Sequence, residues 1–417
     1  MRFCIITLGC KTNQAESETL SSELLQRGYQ PVGLQDAPDI CIINTCTVTS
    51  KSDYQSRQLI RRALRSGAKV IVTGCYVNAS IETLKAEFSD RCLFFKNEEK
   101  LNIFNHLNMK NSSNNLILSP AYSRTRPAIK IQDGCNKRCS YCIIPSVRGR
   151  SRSKSPDDVI NEIKAIEEAG YNEVVLTGIN LGSYGRDLNP SLRLHDLIER
   201  ILLQTKRIRL RISSLGIKEV TIELIELMKT SERLCRHFHL SLQSGDNKIL
   251  RLMNRNYRSE DFISLVQKLK EQIKDINIGA DIIIGFPGEG EIEFNNTLMT
   301  LKRAFIGYIH VFPFSKRQGT PASLMPLQLD NRTKEQRVKI IKDLDKDLRK
   351  SFALSQIGTI KDIILEEFNN GIVRGKTDNY LNVYTKINEN LKKGDLLRVI
   401  ISKYTEEGLM AEPLINS

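Results

Sequence analysis

Three of the ten cysteines stand within eight residues, Cys135, Cys139 and Cys142 of CNKRCSYC. Three thiolates on one loop at C-x3-C-x2-C spacing can bind three irons of a 4Fe-4S cube, and the missing fourth ligand leaves one iron open to chemistry. A zinc site would want a fourth Cys or His close by, and no His lies between Lys110 and Tyr184. Cys10, Cys46 and Cys75 form a second set, in TLGCKTNQ, INTCTVTS and VTGCYVN. They are far apart in sequence, but each stands one or two residues beyond the end of a predicted strand. Loops at that edge of an open α/β sheet converge, so the three thiols could meet around another cluster. Taken singly, each also reads as a small buried residue. Cys4, Cys41, Cys92 and Cys235 lie within or beside apolar strand segments and read as core thiols.

The elements that must position these groups follow from apolar periodicity. From Met1 to about Asn105, strands at 3–8, 39–44 and 69–73 alternate with helices at 14–27, 52–65 and 80–88. That pattern predicts an open, mostly parallel α/β sheet over 1–105. An Asn- and Ser-rich linker is expected at 106–120. Six β/α units follow within 121–355, with strands at 128–132, 173–177, 207–212, 237–242, 277–284 and 308–312. Six units are too few for an eight-fold barrel, so a partial (β/α)6 barrel is expected, working at its strand C-termini. A charged helix at 333–354 leads into strands at 358–368, 371–375, 379–386 and 395–404. With the Asn370-Gly371 turn, residues 356–417 read as a small antiparallel β-barrel.

The chain has 417 residues and composition excludes a disordered or collagenous protein. No apolar run would span a bilayer, and 3–8 lacks the length and flanks of a signal peptide. A cytoplasmic monomer is expected, whose cysteines hold metal rather than disulfides. The 62 Lys and Arg against 48 Asp and Glu leave +14, the balance of a polyanion binder. Nine of the cations lie between Arg124 and Lys154, against Asp133 alone. In an extended chain Arg148, Arg150, Arg152 and Lys154 would share one face and track a phosphate backbone. Arg57, Arg61 and Arg65 line one helix face beyond Cys46 and suggest a second patch.

CNKRCSYC, set directly after the first strand of the β/α repeat, resembles the C-x3-C-x-aromatic-C signature of the radical S-adenosylmethionine enzymes. Over essentially the whole chain the sequence is similar to the methylthiotransferases, which join a three-cysteine N-terminal domain, a radical domain and a C-terminal TRAM barrel. QDGCNKRCSYCIIPSVRGRSRS, LTGINLGSYG, HLSLQSG, RLMNRNYRSEDF, GADIIIGFPGE and HVFPFSKRQGTPA look like the tRNA threonylcarbamoyladenosine methylthiotransferases.

The resemblance implies that Cys135, Cys139 and Cys142 hold the cluster whose open iron chelates S-adenosylmethionine, cleaved on reduction to a 5′-deoxyadenosyl radical. Cys10, Cys46 and Cys75 would hold an auxiliary 4Fe-4S cluster carrying the sulfur that is methylated and inserted. The radical would take hydrogen from carbon 2 of adenine in the tRNA anticodon stem-loop, at position 37. Electron donor and sulfur source would be external. Tyr141 would pack on the cofactor adenine, Gly178 and Asn180 would meet its methionine end, and Ser213, Gln243 and Asp281 would bond ribose or carboxylate groups. A structural role competes for each of these six. Rival substrates are isopentenyladenosine in tRNA and a ribosomal-protein aspartate, and a non-catalytic iron-sulfur RNA-binding protein is a rival of another class. TRAM barrels are usually read as RNA-binding, yet residues 356–417 carry eight cations against nine acids. Stacking by Tyr380, Tyr384 and Tyr404 on unpaired bases would have to replace charge there.

Overall fold

The computed structural model describes residues 1–107, 124–369, 371–386 and 391–414. Most of the expected linker, and Asn370 of the Asn370-Gly371 turn, fall outside them. The first unit runs β1 (Arg2–Thr7), α1 (Lys11–Gln26), β2 (Gln30–Pro31), β3 (Ile40–Thr45), α2 (Ser50–Arg65), β4 (Lys69–Gly74), α3 (Cys75–Phe88), β5 (Cys92–Phe95) and α4 (Asn102–His106). Its sheet is parallel throughout, in the order β2-β1-β3-β4-β5. The central strands are apolar on both faces, as a sheet covered by helices on each side requires. Cys4, Cys41 and Cys92 are buried in the core on one face, packed with Ile43, Val70 and Val72.

The second unit begins with β6 (Ala128–Asp133), α5 (Ile144–Arg148), β7 (Arg152–Ser153), α6 (Pro156–Glu168), β8 (Glu173–Gly178) and α7 (Leu194–Gln204). It continues with β9 (Arg209–Ile212), β10 (Ser214–Leu215), α8 (Ile222–Thr230), β11 (His237–Gln243), α9 (Asn247–Leu252) and α10 (Ser259–Gln272). β12 (Asn277–Ile284), α11 (Glu291–Ala304), β13 (Tyr308–Pro313) and α12 (Asn331–Leu354) complete it. The six long strands and the two-residue β7 and β10 form two sheets, β7-β6-β8-β9 and β10-β11-β12-β13, with a parallel bridge between Leu210 of β9 and Leu234 just before β11. Among the described residues no pairing closes β13 onto β6, so the barrel is open. Alternation divides its strands: Leu210, Ile212, Phe238, Leu240, Ile278 and Ala280 face the helices in one large core. Arg209, Arg211, His237, His239, Asn277 and Asp281 take the other parity and make the interior polar.

The third unit, β14 (Ile360–Asn369), β15 (Ile372–Thr377), β16 (Asn382–Lys386), β17 (Leu396–Thr405) and β18 (Gly408–Pro413), is a closed barrel. Its fifth strand, GLMAEP, lacks the β-branched alternation that marks the others, and it pairs in parallel with β16 where an all-antiparallel barrel is expected. The turn 377–380 plugs the base of the central barrel. Arg211 donates to the carbonyls of Thr377 and Asp378 at 3.0 and 2.8 Å, and Asn277 to that of Asn379 at 2.8 Å. Tyr380 therefore stacks on His237, ring centroids 4.6 Å apart, and is half-buried there rather than free on the surface of the third unit. Tyr404 remains exposed on the third unit.

Glu173 is wholly buried between Arg211 at 2.7 Å and Arg209 at 2.8 Å, with Arg126 at 3.6 Å. Burial alone would raise its carboxyl, but Arg211, Arg209 and Arg126 outweigh it and hold the group below the usual carboxylate range. A depressed carboxyl stabilises the fold above its unfolded value of about 4.3, and that contribution is lost as the pH falls towards the folded value. The urea midpoint is expected to drop below about pH 4.3, and Glu173→Gln to lower it at neutral pH while flattening the acid slope. A Glu173→Gln acid slope as steep as the wild type's would contradict this.

Candidate active site

All three N-terminal cysteines stand at the C-terminal edge of the parallel sheet. Cys10 is exposed at the cap of α1, Cys46 is buried directly after β3, and Cys75 is the buried first residue of α3. Two glycines let these loops meet. Gly9 has φ +99°, and a Cβ on it would lie 2.8 Å from the Cβ and 2.9 Å from the Sγ of Cys46. Gly74 has φ +105°, and a Cβ there would lie 2.4 Å from the Thr45 carbonyl oxygen. Any other residue would part the loops or strain the backbone. Asn13, buried in α1, donates to the carbonyls of Leu8 and Thr45 at 2.8 and 2.9 Å and so braces the Cys10 and Cys46 loops together.

Cys135, Cys139 and Cys142 lie on the loop after β6. Ser140 fastens this loop to the end of α9, through its hydroxyl to the Leu252 carbonyl at 2.7 Å and its N–H to Met253 at 3.1 Å. Two sulfurs receive N–H donors, Cys135 from the Lys137 backbone at 3.4 Å and Cys139 from the Arg255 guanidinium at 3.2 Å. Burial pushes the Cys142 thiol up to about 12 and raises Cys135, Cys46 and Cys75 as well. Loading metal on these groups must therefore displace protons.

One short helix spans the two trios. α5 starts two residues after Cys142, is about 7.5 Å long at 1.5 Å per residue, and ends on Arg148. Arg148 is 3% exposed and donates to Cys75 Sγ at 3.1 Å. Its guanidinium also pairs with Glu16 at 2.8 Å and Asp133 at 3.0 Å and donates to Asn13. Burial would raise the Glu16 carboxyl, but Lys100, Arg148 and Lys130 hold it well below the usual range. The first unit also grips the barrel's other edge, Asp53 pairing with Arg317 at 2.7 Å and Ser50 meeting Ser315 at 3.1 Å.

The expected extended basic stripe is thus corrected. Arg148 is an inward, fully paired helical residue, the chain turns at Gly149 with φ +71°, and Lys154 pairs with Glu162. Arg150 and Arg152 stay exposed. The Arg57, Arg61 and Arg65 patch is partly spent on Glu87, which lies 2.5 Å from Arg61 and 4.0 Å from Arg57. Local charge counting misses these pairings because the acids come from other elements.

Three cavities open around the barrel trio. One of about 350 Å³ lies between Cys139, Arg186, Glu219 and Arg255, one of about 380 Å³ beside Cys135, Arg138 and Arg150, and one of about 240 Å³ beside Asn180, Ser183 and Asp187. Asn180 faces the last, its N–H bonded to Gln132 Oε1 at 2.8 Å. Gly178 leaves room for that glutamine, since a Cβ would lie 2.9 Å from the same oxygen. Ser213 is buried one residue beyond β9, and Gln243 is buried at the end of β11 with φ +71°. Tyr141 packs its ring on the apolar cluster of Ile249, Met253 and Phe286. Asp281 lies inside β12 and is bonded by His239 at 2.8 Å. Gln132, Asn13 and Arg255 are the residues that sequence reading passes over, although they belong to QDGC, CKTNQ and RLMNRNYRSEDF.

The donor set fits iron-sulfur clusters. All six thiols are free, neither trio is drawn within the 4.8 Å that would suit a single ion, and N–H donors point at Cys75, Cys135 and Cys139. Residues 129–301 match the Radical SAM superfamily, and residues 2–95 match the uncharacterized protein family UPF0004. The barrel and its cysteine loop are those of a radical S-adenosylmethionine enzyme, and the solved methyltransferase TsrM of Kitasatospora setae shares the fold. That likeness has a TM-score of 0.55 at 14% identity and covers 78% of this chain and 77% of that one. Threonylcarbamoyladenosine tRNA methylthiotransferase MtaB of Aquifex aeolicus is 36% identical over 96% of this chain and 100% of its own length. tRNA-2-methylthio-N(6)-dimethylallyladenosine synthase of Acetivibrio thermocellus is 31% identical over 90% of this chain and 83% of its own. The chain belongs to the radical S-adenosylmethionine methylthiotransferase family. It is an enzyme that uses S-adenosylmethionine and 4Fe-4S clusters.

Proposed function

We propose that this enzyme inserts a methylthio group at carbon 2 of N6-threonylcarbamoyladenosine at tRNA position 37, beside the anticodon. Cys135, Cys139 and Cys142 hold the cluster that binds S-adenosylmethionine, and Cys10, Cys46 and Cys75 hold the auxiliary cluster. Residues 1–105, 121–355 and 356–417 are the corresponding units. When bound, these groups supply a carbon-centred radical and a transferable sulfur, which an unactivated C–H bond and a thiolated product each require. The observation that carries this reading is α5, which ties the cysteine loop of the barrel to Cys75 through Arg148. A base entering the barrel mouth then meets both chemistries.

The chain's own residues arrange that mouth. Arg255 is charged and fixed by Cys139, by Tyr257 at 2.9 Å and by the Ser241 carbonyl at 3.3 Å, so it lines the approach to the loop that opens beside Cys139. Arg138 and Arg150 are exposed, make no ion pair among the described residues, and offer phosphate contacts at the rim. Gly178 and Asn180 present backbone and amide to the cofactor's methionine end. Ser213 and Gln243 contact its ribose, and Tyr141 fixes the loop from behind.

The threonylcarbamoyl substrate is supported by the 36% identity to the Aquifex relative over its whole length. Mass spectrometry of nucleosides from total tRNA, with and without the gene, tests it. Loss of the 2-methylthio form with accumulation of threonylcarbamoyladenosine is expected. Loss of the methylthio group from the isopentenyl nucleoside would keep the chemistry and replace the substrate. No change in any tRNA nucleoside would overturn the reading.

A further inference from the structure

β11, β12 and β13 carry a second concentration of ligating groups inside the barrel, on strands that hold none of the six cluster cysteines. One ligand atom each from His239, Asp281 and His310 lies within 4.8 Å of the others, and among the described residues no other three His, Cys, Asp or Glu groups gather so closely. Strand register produces the grouping. Asp281 pairs with His310 across β12 and β13, and His239 pairs with Gly279 two residues before Asp281 on the same face.

Gly279 has a further effect. A Cβ there would lie 2.1 Å from Cζ of Tyr308, so only glycine lets the tyrosine ring lie across the strand. The Tyr308 hydroxyl then stands 2.9 Å from Nδ1 of His239 and 2.8 Å from Nε2 of His237. It engages one nitrogen of His239 and turns the other, Nε2, towards Asp281 at 2.8 Å. His310 places Nδ1 3.8 Å from the same carboxylate oxygen, and its side chain is 46% exposed, which leaves coordination positions open on that side.

We propose that His239, Asp281 and His310 bind one divalent transition ion, with Tyr308 orienting His239 from behind. Two imidazoles and a carboxylate suit zinc, iron(II) or cobalt(II), whereas magnesium and calcium favour oxygen ligands. A ligating histidine usually gives the N–H of its outer nitrogen to an oxygen acceptor, and here the Tyr308 hydroxyl takes that place. Asp281 thereby becomes a metal ligand rather than a contact of S-adenosylmethionine. The proposal does not depend on which nucleoside is the substrate.

The test uses the anaerobic enzyme with both clusters loaded, equilibrated with zinc chloride, desalted and measured for zinc and iron together. One zinc per chain is expected in the wild type. Asp281→Asn, which keeps the side-chain shape, and His310→Ala are expected to retain at most about a tenth of it, with iron content unchanged. Tyr308→Phe keeps all three ligands and is expected to weaken zinc binding about 10- to 100-fold. Absence of zinc from the wild type would overturn the proposal. So would full retention in Asp281→Asn, whatever the folding of His310→Ala.

Discussion

Cys139→Ala is expected to abolish 5′-deoxyadenosine formation from S-adenosylmethionine under reducing conditions, while roughly half of the iron stays bound. Three thiolates on the 135–142 loop are the minimum that holds a cube with one open iron, and no spare ligand is at hand. No other cysteine lies nearby in sequence, and Cys235, at the base of the barrel, is buried against Glu173 at 3.4 Å. The N-terminal trio belongs to a different sheet with its own braces, Asn13 and the glycines at 9 and 74. It should therefore keep its cluster. Iron analysis and electron paramagnetic resonance of the reduced protein read the two centres, and chromatography of the reaction reads the nucleoside. Retained cleavage would show that the barrel trio is not the site of S-adenosylmethionine chemistry. Loss of all iron would show instead that the trios are not independent. A non-catalytic iron-sulfur binding protein predicts no 5′-deoxyadenosine from the wild type either.

Both cysteine trios are legible in the sequence because their signals are local, one a tight spacing and the other a repeated position after apolar strands. The strand and helix order is legible for the same reason, since periods of 2 and 3.6 are properties of single segments. What escapes is whatever joins distant segments. Arg148 lies among exposed cations in the sequence, yet its partners Asn13 and Glu16 are 135 and 132 residues away. Tyr380 looks like an RNA-stacking residue until the third unit docks and its ring closes on His237. His239, Asp281 and His310 come from three strands and meet only through register. β18 escapes for the opposite reason: its pairing to β16 and β17 imposes a strand on residues with little preference for one.

Arg148 also carries the second large effect. Its guanidinium serves four partners at once, Cys75 Sγ, Glu16, Asp133 and Asn13, in a place closed to water. Replacing it with methionine keeps the length of the side chain but leaves two carboxylates without their shared cation. Glu16 retains Lys100 and Lys130, and Asp133 retains Lys130 at 3.1 Å, so the network is weakened without losing all its positive charge. Removing one member of a buried ion pair costs about 3–5 kcal/mol. Arg148→Met should therefore lower the unfolding midpoint and loosen the first unit from the barrel, visible as faster amide exchange in both α1 and α5. Arg148→Lys should not restore it, because one ammonium cannot reproduce a planar fork with separate donors for sulfur and two carboxylates. A second readout separates this role from plain packing. With the auxiliary cluster loaded, loss of a cation and an N–H donor at Cys75 disfavours the more negative reduced state, so the potential of that cluster should fall in Arg148→Met while that of the barrel cluster holds. A lower midpoint with both potentials unchanged would leave Arg148 a structural clamp and nothing more.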